Sequence, residues 1–339
     1  MYDTRCVPPT DENIEKAARL IQAGELVAFP TETVYGLGAN ALDAEAVARI
    51  FAAKNRPADN PLIVHIADEG QMEPLCEVTD AARALMKAYW PGPLTLLLKK
   101  KAVVPDIVTA GLDSVGMRMP SHPAARAFLR ACALPVAAPS ANLSTRPSPT
   151  TARHVYEDMA GRIPMILDGG MCDVGVESTV LDMTGDTPTV LRPGAVTPGM
   201  IAKIAGSVSV AGSVMRPLKE GETAPSPGMR HRHYAPRGKM TIVRGDPERV
   251  ERTVRQLYQT SENACILALS GHLSAYEGCR AYDLGADEGA VAHNIFALLR
   301  RADDEGVERI IAEGVISEEV GLAVMNRMAR AAAFDIIEV

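Results

Sequence analysis

The chain reads as an α/β protein in two units, a mixed set of helices and strands followed by a smaller parallel-sheet α/β domain. Three observations lead there. Its 339 residues exceed what one hydrophobic core usually organises. Short apolar runs and helical periodicities mix without strict alternation up to about residue 206, then alternate regularly after residue 240. Between them lie Pro217, Gly221, Pro225, Pro227, Gly228, Pro236 and Gly238, which disfavour regular elements. The expected organisation is a domain over 1–206, a linker over 207–239 and a domain over 240–339.

In order along the chain, Thr10 or Asp11 caps a first helix in which Ile14, Ala17, Ala18 and Ile21 recur at helical spacing, and Gly24 ends it. Residues 26–29 read as a buried strand. Asp43 caps a helix burying Val47, Ile50 and Phe51, and 62–66 form a second short apolar strand. A helix over 80–89 is stopped by Pro91-Gly92-Pro93. Strands follow at 95–98 and 115–119, and another runs into Pro139-Ser140-Ala141-Asn142. After a helix near Asp158 come strands at 165–168, 178–183 and 189–191, closed by Arg192-Pro193-Gly194. In the second unit, strands at 240–243, 265–269 and 309–312 alternate with a helix begun by Asp246 and helices over 286–302 and 317–333.

Composition narrows the function. Hydrophobic residues at 47% with 23% charged match ordinary soluble usage, and no apolar run approaches the roughly 20 residues of a membrane helix. The polar N-terminal residues are not followed by an apolar signal region, so a cytoplasmic protein with no membrane partner is expected. The six cysteines form no C-x-x-C pair and none stands at zinc-ligand spacing to a histidine, so they are expected reduced, with no resident metal. A net charge of -7 argues against a surface that wraps nucleic acid, and still permits one basic concave face.

The chemistry concentrates in 29–40, Phe-Pro-Thr-Glu-Thr-Val-Tyr-Gly-Leu-Gly-Ala-Asn, and in 54–62, which begins Lys54-Asn55-Arg56-Pro57. The first stretch matches the G-x-G-x-x-A dinucleotide fingerprint from Gly36. However, no apolar strand runs straight into Gly36 and no acidic strand end stands at ribose distance. The bland reading is a tight turn in which glycine supplies positive φ. Against it stand Thr31, Glu32, Thr33 and Tyr35, a density of hydrogen-bonding groups that a buried turn struggles to satisfy without a ligand or water. Lys54 and Arg56 cap a helix end in their bland reading. Stiffened by Pro57 and Pro61 and joined by Asn60, they form a rigid cationic loop suited to phosphate oxygens.

Ser140-Ala141-Asn142 with Ser144, Thr145, Arg146 and Ser148, then Glu177-Ser178-Thr179 and Arg192-Pro193-Gly194, repeat the pattern of hydroxyls or fixed cations at strand ends. Strand ends are where α/β sheets hold ligands. His65, closing an apolar strand, reads more readily as a core histidine than as a base, and no serine–histidine–acid order is legible. Cations and hydroxyls without a covalent nucleophile suit phosphoryl or nucleotidyl transfer, which is driven by positioning and electrostatics.

These residues together resemble the YrdC-type threonylcarbamoyl-AMP synthases. The resemblance rests on 30–38, Lys54-Asn55-Arg56-Pro57, Asn60-Pro61-Leu62, Ala138-Pro139-Ser140-Ala141-Asn142, Ser178-Thr179-Val180 and Leu191-Arg192-Pro193-Gly194. Residues 226–236 resemble the linker of the long, two-domain form, and 321–332 its C-terminal domain. The resemblance implies a twisted mixed sheet with a concave site, followed by a small Rossmann-like domain. It implies that L-threonine, bicarbonate or CO2, and ATP give L-threonylcarbamoyladenylate and pyrophosphate, with Mg2+ arriving on the nucleotide. A downstream complex that transfers the threonylcarbamoyl group to tRNA is the implied partner, with a weak tRNA contact besides.

Carried over residue by residue, the resemblance assigns Thr33, His65, Arg118, Ala138 and Ser178 to L-threonine, Arg118 facing its carboxylate. It assigns Arg56, Asn60, Ser114, Ser140, Asn142, Ser148, Arg192 and Tyr234 to ATP, and makes Lys54 and Arg56 the catalytic cations. Tyr234 lies in the linker beside Arg230-His231-Arg232-His233, so the linker is expected to cover the adenylate. Two rivals remain. An RNA-binding module of the same fold would want basic residues spread beyond the motifs and aromatic residues for stacking, and aromatics are 4%. A carbamoyltransferase domain of hydrogenase maturation proteins would bring zinc-finger cysteines, which this chain lacks.

Overall fold

The computed structural model describes residues 1–216, 234–316 and 318–339. Among them, eleven short strands build one mixed sheet. They are β1 (Arg5–Val7), β2 (Val27–Phe29), β3 (Gly36–Asn40), β4 (Ile63–His65), β5 (Leu94–Lys99), β6 (Ser114–Arg118), β7 (Val136–Ala138), β8 (Met165–Leu167), β9 (Thr179–Asp182), β10 (Thr189–Arg192) and β11 (Ser209–Val210). Their spatial order is β1-β8-β2-β3-β7-β4-β6-β5-β9-β10-β11.

The helices of this domain are α1 (Asp11–Gln22), α2 (Ala44–Lys54), α3 (Asp80–Tyr89), α4 (Asp106–Thr109), α5 (Pro123–Cys132), α6 (Ala152–Met159) and α7 (Pro198–Ala205). α1 starts where the Thr10 hydroxyl accepts the Asn13 amide, and its stripe of Ile14, Ala17, Ala18 and Ile21 packs with Phe128 and Leu129 of α5 under one face of the sheet. Asp43 caps α2 by accepting the Glu45 and Ala46 amides, and Val47, Ile50 and Phe51 cover the other face.

Two expectations change here. Gly36 and Gly38 lie inside β3 rather than in a turn, and neither has positive φ. What they provide is room. A Cβ on Gly36 would sit 3.2 Å from the Phe29 ring, and one on Gly38 would sit 2.8 Å from Val136 Cγ1. The β2–β3 hairpin therefore closes tightly onto β7, and the glycines do not form a dinucleotide-binding turn. Secondly, the first sheet passes Gly206, because β11 pairs with β10 in parallel register, Thr189 with Ser209. Of the segment expected as a linker over 207–239, residues 217–233 lie outside the described residues, Arg230-His231-Arg232-His233 among them.

The second sheet holds β12 (Lys239–Arg244), β13 (Ala264–Leu269), β14 (Ala281–Gly285), β15 (Arg309–Glu313) and β16 (Ile336–Glu338) in the order β14-β13-β15-β12-β16, every pair parallel. Its helices are α8 (Pro247–Gln259), α9 (Glu288–Asp304) and α10 (Glu319–Ala331). Burial on both faces is what a parallel sheet requires. Val243, Ile266 and Ile311 point to the face covered by α8, while Ile242, Leu267 and Ile310 point to that covered by α9 and α10. This second core also includes Val34 and Val176 of the first domain, and Tyr234. Among the described residues no helix is long and apolar enough to cross a membrane.

Gly38→Ala is expected to cost about 1–3 kcal/mol through overpacking against Val136 and Phe29. A urea titration reads this directly, and an unchanged midpoint would show that β3 yields without strain.

Candidate active site

One concavity gathers residues from eight separate segments. It is lined among others by Thr31, Thr33, Tyr35, Gly36, Arg56, His65, Arg118, Ala138, Ser140, Glu177, Ser178, Arg192 and Tyr234. Strand pairing explains the convergence. His65 ends β4 and is in register with Arg118 at the end of β6, while Ala138 ends the antiparallel neighbour β7 opposite Ile63. Gly36 opens β3 and bridges to Ser140 just past β7. On the far side, Arg192 of β10 is paired across from Val180 of β9, beside Ser178.

The 30–35 loop is ordered by one hydroxyl. Thr31 Oγ1 accepts the Thr33 and Val34 amides at 3.2 Å and donates to the Val34 carbonyl at 2.6 Å. Its single proton is then spent, so in the 2.8 Å contact between the two hydroxyls Thr33 is the donor. The lone pairs of Thr33 remain for a donor arriving in the cavity, such as an ammonium. Tyr35 fixes the next turn, its hydroxyl donating to the Gly170 carbonyl and accepting the Gly169 amide.

Arg118 is 4% exposed; its Nη2 lies 2.8 Å from Glu32 Oε1 in a contact of charges without hydrogen-bond alignment. The other Glu32 oxygen accepts the Ser121 amide. His65 is buried with Nδ1 3.2 Å from the Ile63 carbonyl. Burial first, and Arg118 second, push its pKa down to about 3, so the imidazole beside the guanidinium is neutral at physiological pH.

The cationic loop is built less simply than its sequence suggests. Arg56 Nη2 donates to the carbonyls of Asn60 and Pro61, at 3.2 and 3.3 Å, while its buried Nε has no hydrogen-bond partner. Both side-chain amide atoms of Asn60 are likewise buried and unpartnered. Such orphaned polar groups are costly unless a ligand meets them. Burial pulls the pKa of Arg56 down to about 10, and that of Arg192 to the same value, which leaves both charged at neutral pH.

Lys54 stands differently from the expectation of a catalytic cation. Its ammonium is sunk to 1% exposure and donates to the Ser140 and Asn142 carbonyls, with Asn142 Oδ1 at 3.5 Å. Burial, then the nearby Arg56 charge, drive its pKa well below the ordinary lysine value. With its donors committed to the 140–142 loop it shapes the cavity floor and does not line it. Asn142 and Ser148 also stand behind the wall: Asn142 accepts from Ser140 Oγ and donates to the carbonyls of Leu143 and Arg146, and Ser148 donates to Glu177. Ser114, expected at the nucleotide, opens β6 at the end opposite Arg118, about 13 Å away at strand rise, and lies outside the cavity lining.

Arg192 donates to the Ser178 carbonyl at 3.0 Å and to its hydroxyl at 3.1 Å, and Thr95 Oγ1 is 2.8 Å from the same hydroxyl. Burial works against the Glu177 carboxylate, but Arg327 and Arg192, with the hydrogen bond from Ser148, outweigh it and hold its pKa below the ordinary glutamate value. Tyr234 enters from the linker with a left-handed φ of 63° and packs on Phe296 of α9, ring centroids 5.1 Å apart. The next residue, Ala235, donates to the Thr145 carbonyl. Sequence reading singled out Glu32, Tyr35 and Glu177 within motifs but gave them no role, and overlooked Thr95 and Arg327. An arginine between Met325 and Met328 in a buried helix was the available signal for the last.

The family is now plain. A model of the Sua5/YciO/YrdC family, described as telomere recombination, matches residues 19–194, and one described as threonylcarbamoyl-AMP synthase, C-terminal domain, matches 196–333. The chain belongs to this family, in its two-domain form. It is 47% identical to a threonylcarbamoyl-AMP synthase of Pyrococcus abyssi and 45% identical to that of Bacillus subtilis. The first match covers 96% of both chains, the second 96% of this one and 95% of the other. The crystal structure of P. abyssi Sua5 complexed with L-threonine superposes with a TM-score of 0.93 at 44% identity, covering 100% of this chain and 99% of that one. Escherichia coli YciO matches 57% of this chain and 96% of its own, with a TM-score of 0.51 at 26% identity.

A histidine pKa depressed from 6.5 to about 3 has a definite thermodynamic sign. The unfolded chain takes up a proton that the folded one refuses, so this contribution to stability is full above pH 6.5 and is lost as the pH falls toward 3. His65→Gln should flatten the acid limb of a plot of urea midpoint against pH within that window. An unaltered limb would place the titrating group elsewhere, His154 first among the alternatives.

Proposed function

We propose that the cavity joins L-threonine, CO2 or bicarbonate, and ATP into L-threonylcarbamoyladenylate, with release of pyrophosphate. The observation that carries this reading is the convergence of three guanidinium groups, the buried Arg118 and Arg192 and the half-buried Arg56, with the acceptor-oriented Thr33 hydroxyl around one small cavity. The full-length relatives named threonylcarbamoyl-AMP synthase support it, as does the threonine-bound P. abyssi structure.

In this reading Arg118 pairs with the threonine carboxylate, and Thr33 accepts from the amine. The ammonium gives up one proton to solvent, and the free amine then adds to CO2, losing a second proton to solvent, to form an N-carboxylate. An oxygen of that carboxylate attacks the α-phosphorus of ATP and pyrophosphate leaves. Arg56 and Arg192 face the growing negative charge, and no side chain forms a covalent bond. Neutral His65 adds no second positive charge beside Arg118.

Mg2+ enters with the nucleotide, held chiefly by phosphates and water. Tyr234 closes the cavity from the linker side. The adenylate is then passed to a complex that transfers the threonylcarbamoyl group to tRNA.

Pyrophosphate release should require both L-threonine and bicarbonate, and Arg56→Ala should lower it by about 100-fold or more. Release indifferent to threonine would mean another acceptor and would sink the proposal. Tyr234→Ala should reduce both the yield and the lifetime of the adenylate, followed by chromatography. If neither changes, Tyr234 is no part of the closure.

A further inference from the structure

Among the described residues the second domain contributes none to the cavity lining, yet two of its arginines reach the backbone behind it. Arg327 of α10 is wholly buried, and its whole fork is used on the first domain and its own helix. Nε donates to Glu177 Oε2 at 2.9 Å, Nη2 to the Glu177 carbonyl at 3.2 Å, and Nη1 to the Pro193 carbonyl at 2.6 Å and to Asn326 Oδ1. Glu177 and Pro193 adjoin Ser178 and Arg192 in the chain. The second carboxylate oxygen of Glu177 accepts the Ser148 hydroxyl. One guanidinium thereby ties together the ends of β9 and β10 and, through Glu177, the loop that carries Ser148. Arg300 of α9 does the same one step further back, donating to Asp158 at 2.8 Å and to the Pro147 carbonyl at 2.6 Å.

We infer that Arg327 is a positioning residue that holds Arg192 in the cavity wall, and through Glu177 the Ser148 loop behind it, in the geometry that receives the nucleotide. The inference rests on the reading of the site given above. A merely cohesive interface would not need this residue. Burying a guanidinium is costly, and apolar side chains of similar volume often hold two surfaces together at least as well. What the planar fork supplies is direction, since its donors are fixed relative to one another and bind three acceptors on two loops at once. A second observation bears on the same seam. Gly175, two residues before Glu177 and with φ of +80°, lies so close to α9 that a Cβ would sit 2.5 Å from the Ala292 carbonyl oxygen. The loop has been brought against the second domain as near as backbone allows.

The test separates positioning from cohesion within the full-length protein. Arg327→Lys keeps the charge and loses the fork; Val254→Ala opens the far core of the same domain, under α8 and away from the seam. Both should lower the melting temperature. Only Arg327→Lys should weaken ATP, by tenfold or more in calorimetric affinity and in KM, with kcat reduced. L-threonine, anchored mainly by Thr33 and Arg118 on the opposite wall, should change less than threefold. Gly175→Ala should show the same ATP-selective loss, and stands in if Arg327→Lys does not fold.

ATP binding that is unchanged, or that falls in step with threonine binding, would overturn the inference. Wild-type pyrophosphate release that ignores threonine would instead overturn the reading of the site, and the ATP affinities would still decide the role of Arg327.

Discussion

The cost of burying fixed positive charge governs this molecule. A guanidinium cannot discharge itself at any physiological pH, so Arg118 and Arg192, which are buried, and Arg56, which is half-buried, can be withdrawn from water only where the fold supplies oxygen. It does so largely with carbonyls left over at strand and loop ends, those of Asn60, Pro61, Gly92 and Ser178, and with two carboxylates, Glu32 and Glu177. These carbonyls stand just before strands: Asn60 and Pro61 precede β4, Gly92 precedes β5 and Ser178 precedes β9. The sheet is a means of delivering acceptors as much as a hydrophobic floor.

The compensation is deliberately incomplete. Arg56 Nε and the Asn60 amide have no partner. A site that neutralised every charge internally would have nothing to offer an anionic substrate. One that neutralised none would not fold. The distribution found here, with some donors spent on the protein and others held back, lets a triphosphate or carboxylate complete a hydrogen-bond pattern already mostly drawn.

Much of this was legible in the chain, for identifiable reasons. Helices with a capping hydroxyl or carboxylate and an apolar stripe, such as α1 and α2, are local events and read directly. The site motifs were legible because hydroxyls and cations crowded at strand ends have no cheap structural use. The parts that escaped are those decided by distant partners. Gly36 and Gly38 signal glycine but not whether it serves a turn or a close approach, which depends on Phe29 and Val136. Lys54 looks like a catalytic cation until its carbonyl acceptors, some ninety residues away, are seen to occupy it. Ser114 fits by spacing, yet the strand that carries it points its other end at the cavity. Arg327 stood out only as an arginine in a buried helix, and its role stayed hidden because its partner lies 150 residues earlier in the chain.

Val34 and Val176, although they belong to the first domain, are packed inside the core of the second, together with Tyr234. That arrangement bears on how the protein comes apart. Neither domain can open without stripping apolar cover from the other, so their stabilities are coupled although each has its own sheet. The same coupling bears on the catalytic half: without the second domain, Val34 and Val176, which flank Thr33 and Glu177 of the cavity, would lose their apolar backing.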